Sequence, residues 1–113
     1  MRARAPSGNE VPAREPIRLV TGDEVTVGRR DTRWPAFVFV TGPSGEGWVP
    51  SRHLSTEADT AVVINPYDTT ELELAAGEEV AVLDRDDASG WWWCRRADGV
   101  EGWVPVAALD PIA

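Results

Sequence analysis

Few side chains in this sequence could carry chemistry, and they do not converge. His53 is the only imidazole and Cys94 the only thiol, whereas a structural zinc site takes about four nitrogen or sulfur ligands. Ser51 has no His–Asp partner pattern, the acids form no paired-carboxylate motif, and no Gly-rich phosphate loop is present. The residue types therefore predict a protein that is not an enzyme and holds no metal or cofactor. Aromatic rings beside carboxylates are abundant instead: six Trp, three of them consecutive at Trp91, Trp92 and Trp93, close to Asp84, Asp86 and Asp87. Flat rings give contact area at low entropic cost and acids attract cations, so this is the chemistry of binding. With the two-residue period of a strand, Trp91 and Trp93 face one side and Trp92 with Cys94 the other. At least one ring of the run must then be exposed or covered by a partner, and Cys94 is expected as a small buried apolar residue.

The elements that must position these residues come in two copies. Gly47-Trp48-Val49-Pro50 recurs 55 residues later as Gly102-Trp103-Val104-Pro105. The same offset relates Gly22-Asp23-Glu24-Val25-Thr26-Val27 to Gly77-Glu78-Glu79-Val80-Ala81-Val82, Leu54 to Leu109, and Ile17 and Leu19 to Leu72 and Leu74. A repeat of that length is a small domain rather than a solenoid unit. The expected organisation is an extended or disordered lead-in over 1–14, a first lobe over 15–55, a short linker over 56–60 and a second lobe over 61–113. Pro6 and Pro12, with Pro16 just beyond, argue against a helix or a central strand in the lead-in. Short alternating apolar runs separated by Gly, Pro and Asp turns, with no apolar set at helical spacing, predict an all-β chain. It should form two small barrels, each of about five short antiparallel strands. Trp48 and Trp103 share one repeat position and are expected as structural rings of those barrels.

The net charge is −8, unevenly spread. Residues 1–54 hold 8 Arg against 6 acids, and residues 55–113 hold 3 Arg against 13 acids. Nucleic acid is a poor partner for the second half, whose acids suit a basic one. The N-terminal stretch has Arg but no apolar run to follow, and no segment approaches a membrane span; a cytoplasmic protein is expected.

The ordered set Glu71-Leu72-Glu73-Leu74, Gly77-Glu78, Gly90-Trp91-Trp92 and Gly102-Trp103-Val104-Pro105 resembles the Src-homology-3 (SH3) domain over residues 61–110. Pro16-Ile17-Arg18-Leu19, Gly22-Asp23 and Gly47-Trp48-Val49-Pro50 repeat the likeness over 15–54. With Trp34-Pro35 in the first lobe, the pair is similar to a bacterial group of paired variant SH3 proteins. The resemblance implies a non-catalytic module whose aromatic shelf holds a left-handed polyproline helix beside an acidic pocket. It puts Trp91 at the ligand-binding Trp position, Pro105 at the shelf Pro and Tyr67 at a loop Tyr. Asp68, Glu71, Asp84, Asp86 and Asp87 would ring the basic-residue pocket, and Trp93, Trp34, Pro50 and His53 complete the candidates. Two departures stand out: Ala108 and His53 occupy the place where each groove would carry a Tyr, and the opening aromatic segment is reduced to Val62–Tyr67.

Three functions follow as expectations. The first is a protein–protein interaction module in which the second lobe binds an extended, basic, proline-containing segment. The second is a scaffold or homo-oligomer subunit whose aromatic surfaces are buried between lobes. The third, conditional on export, is binding of cell-wall glycan or peptide.

Overall fold

Alternating valines and aromatics become strands, and the Gly-led turns reverse them. The computed structural model describes Met1–Ile112. Its strands are β1 (Arg2–Ala5), β2 (Arg18–Leu19), β3 (Glu24–Arg30), β4 (Phe37–Gly42), β5 (Gly45–Pro50), β6 (Thr60–Val62), β7 (Tyr67–Asp68), β8 (Glu78–Asp86), β9 (Trp91–Arg95), β10 (Glu101–Pro105) and β11 (Asp110–Ile112). Single 3-10 turns, Ser51–His53 and Val106–Ala108, follow β5 and β10. No helix of the described residues is long and apolar enough to cross a membrane. Gly22 and Gly77, at one repeat position, open the turns into β3 and β8 with φ of 98° and 83°, a region that favours glycine.

The chain divides into two compact units: a contiguous one, Glu15–Thr69, and a split one, Met1–Arg14 with Thr70–Ala113. Each is a small antiparallel barrel with SH3-like strand order. The split unit carries the sheet β10-β9-β8-β1-β11; the contiguous unit carries β5-β4-β3-β6 and the pair β2-β7.

These units depart from the expected boundaries. Arg2–Ala5 is not a lead-in but a strand with neighbours on both sides: Ala3 pairs with Val80 of β8 and with Pro111 of β11. It fits because Ala3 and Ala5 point inward, fully buried, and because the strand stops one residue before Pro6. Conversely, Thr60–Val62 does not open the second barrel. It closes the first, with Val25 opposite Ala61 just as Val80 is opposite Ala3. The exchange extends further, since Asn9 bridges Leu74 where Tyr67 pairs with Leu19. Each barrel is thus completed by the opening strand that precedes the other repeat in sequence.

The exchange redistributes charge. The contiguous unit holds 5 Arg against 8 acids and the split unit 6 Arg against 11, so the two are net −3 and −5 rather than +2 and −10.

The two cores correspond at most positions, with Val82 an exception whose counterpart Val27 is half-buried. The split unit buries Ala3, Ala5, Leu72, Leu74, Val80, Val82, Trp92, Cys94, Val104 and Leu109. The contiguous unit buries Ile17, Leu19, Val25, Val38, Val40, Val49, Leu54, Ala61 and Val63. Trp48 and Trp103 are absent from both sets: each is half-buried on the outer sheet face, because alternation sends Val49 and Val104 inward.

Candidate functional site

The outer face of β8-β9-β10 is assembled in rows by strand register. Pro105 and Asp86 flank Trp91, Trp103 and Asp84 flank Trp93, and Glu101 and Ala81 flank Arg95. Side chains opposite each other in such rows are contact neighbours. A register shift between Val82 and Asp84 returns Asp84 and Asp86 to the face that carries Trp91 and Trp93. The expected alternation holds: Trp92 and Cys94 are buried, Trp91 and Trp93 half-buried. Trp93 and Trp103 meet edge to face, 5.2 Å apart at 75°.

The carboxylates differ in their engagements. Asp87 accepts the Trp92 indole N–H at 2.9 Å, and the Asp86 carbonyl accepts the Gly90 N–H at 3.0 Å and the Ser89 hydroxyl at 3.2 Å. Both acids therefore shape the loop before β9. Asp84 is exposed. Glu71 lies beside β10, bridging Trp103, where half-burial pushes its carboxyl above the usual range and Arg14 partly offsets the shift. Burial likewise pushes the Cys94 thiol up to about 11.

The remaining candidates, Tyr67, Asp68, Trp34, Pro50 and His53, lie in the contiguous unit. Tyr67 is buried and meets His53 edge to face at 5.0 Å. The His53 Nδ1 is 3.1 Å from the Asn65 carbonyl, and Asp68 pairs with Arg18 at 3.1 Å. Arg33 stacks over Trp34 at 5.6 Å. Pro50 is buried opposite Phe37, itself buried, at the register place where the split unit has Trp91 opposite Pro105. In the split unit Asn9 holds the place of Tyr67, donating its side-chain amide to the Leu72 carbonyl at 2.8 Å. Trp103 and Glu101 were missed as candidates, although alternation back from Pro105 puts both on its face.

Residues 63–112 match the family model for the variant SH3 domain. The SH3 and PX domain-containing protein 2A of Danio rerio is 34% identical over 93 residues, 82% of this chain and 8% of that protein. The SH3 domain-containing protein Dlish of Drosophila melanogaster is 43% identical over 44 residues, 39% of this chain and 12% of that protein. Myosin-1 of Yarrowia lipolytica is 42% identical over 43 residues, 37% of this chain and 3% of that protein. The chain thus spans 12% or less of the length of each of these relatives. No solved structure matches it. The family match starts at Val63, within the exchanged segment that the fold assigns to the contiguous unit. By sequence, residues 63–112 are similar to the variant SH3 domain, and the Trp91–Pro105 row lies within the matched segment.

Proposed function

We propose that this chain is a non-catalytic protein–protein interaction module whose split unit holds an extended, basic segment of a partner across the Trp91–Pro105 row. The observation that carries the reading is the difference between equivalent rows. Trp91 and Pro105 are half-buried where Phe37 and Pro50 are buried, so the split unit presents this row to a ligand and the contiguous unit packs it away. An extended segment with proline suits such a row because it is already ordered and its rings stack on an indole at little entropic cost. Asp84 and Asp86 border the row, and the unit's net −5 favours a basic partner.

The test is a titration with a basic, proline-containing peptide, read by tryptophan fluorescence. Trp91→Ala should cost on the order of 2 kcal/mol of affinity. Raising salt from about 0.05 to 0.5 M should weaken wild-type binding through screening. Affinity unchanged by both interventions would remove the row from recognition.

A further inference from the structure

The two units treat one outer-face position with opposite charge. In the contiguous unit, Phe39 and Trp48 are cross-strand partners that meet edge to face at 5.2 Å and 73°. The Arg29 guanidinium lies 5.5 Å and 5.1 Å from their ring centroids, within the range of cation–π attraction. In the split unit the equivalent partners, Trp93 and Trp103, meet at 5.2 Å and 75°. The residue 55 positions after Arg29 is Asp84, exposed and opposite Trp93 in the β8-β9 register. Where one unit lays its own cation on the rings, the other sets a carboxylate beside them.

Glu101 adds a second carboxylate to that row's edge. Its Oε1 accepts the Trp93 indole N–H at 2.8 Å, a bond that polarises the ring toward greater electron density. Arg95 lies 3.8 Å from the other oxygen of Glu101 and offsets part of its charge, which leaves Asp84 as the acid best placed to pair with an incoming cation.

We propose that Trp93, Trp103, Asp84 and Glu101 form a second recognition site, for an arginine side chain presented by a partner protein. The guanidinium lies over Trp103 as Arg29 lies over Trp48, with Asp84 as its ion-pair partner. Arginine fits better than lysine because its planar fork stacks on a ring and meets a carboxylate with two donors at once. The site is centred on different rings from the Trp91–Pro105 row, although the two rows adjoin on one face and Asp84 borders both.

The experiment follows the indole N–H signals of the whole chain by NMR while an end-blocked Gly-Arg-Gly peptide is added, with the citrulline peptide as the uncharged control. The Trp93 and Trp103 signals should move saturably with the arginine peptide and not with citrulline. Asp84→Asn should weaken the response about threefold. Asp84→Arg, which installs the contiguous unit's own cation, should abolish it, and Arg29→Asp should make the Trp48 signal responsive. Should Asp84→Arg fail to fold, Asp84→Asn and the citrulline control still decide. The proposal is overturned by equal shifts from both peptides, by indifference to both Asp84 substitutions, or by no saturable movement of Trp93 and Trp103. Movement of Trp91 alone would also overturn it, while favouring the groove reading above.

Discussion

Trp48 and Trp103 show how a repeated residue can mislead. Recurrence at one repeat position suggested core, yet alternation from the buried Val49 and Val104 sends both rings outward, where each has an edge-to-face partner. Trp103→Ala should therefore cost about 1 kcal/mol, against about 3 kcal/mol for Leu72→Ala, which removes a fully buried side chain; chemical denaturation compares the two, and equal losses would put the ring back in the core. Trp91, Trp92 and Cys94 were legible because a strand period needs no knowledge of the fold. Glu71 was legible only as an acid, since its burial depends on β10 passing beside it. Its raised carboxyl means that the ionised form is less favoured in the folded chain than in the unfolded one. This contribution is least favourable above the folded pKa and recovers as pH falls through it. Glu79 and Asp98 run the other way: hydrogen bonds from Arg4 and Arg96 lower their carboxyls, so their stabilisation is present above the unfolded carboxylate range and is lost as pH falls through the folded values. Glu71→Gln should raise the denaturation midpoint near pH ~7, with the gain shrinking toward pH ~4. A gain that persists unchanged in acid would contradict the assignment to ionisation.

At the scale of elements, the repeat carries its own control experiment. A Cβ on Gly102 would come within 2.8 Å of the backbone of Glu71 and Leu72, whereas one on the equivalent Gly47 would meet the Thr69 methyl at 3.5 Å, an ordinary contact. Gly102→Ala should destabilise by about 2 kcal/mol and Gly47→Ala by much less. Equal thermal shifts would show that the close pass of residues 70–72 under β10 is not rigid. The strands of both repeats were legible from valine alternation and Gly turns. The strand β1 was not, because Arg-Ala-Arg-Ala has neither β-branched nor aromatic residues, and its inward methyl groups only make sense once Val80 and Pro111 are seen on either side.

For the whole molecule, duplication was legible but the ownership of strands was not, since β1 and β6 pair with equivalent partners and the repeat alone does not say which barrel each one closes. The exchange makes a specific demand on the chain. Deleting residues 1–9 removes β1 and the Asn9 bridge to Leu74, and should unfold the split unit while the contiguous unit, complete within Glu15–Thr69, keeps its dispersed amide signals. Loss of both sets, or of neither, would contradict the strand assignment. The same exchange puts Trp91 and Tyr67 in different units, and the proposed recognition is by the outer face of β8-β9-β10. Mapping a basic, proline-containing peptide onto the isotopically labelled full chain by amide and indole shifts tests this most directly. The account predicts that Gly90, the Trp91 indole and Val106 move together; shifts confined to Phe37, His53 and Tyr67, with Trp91 unmoved, would contradict it.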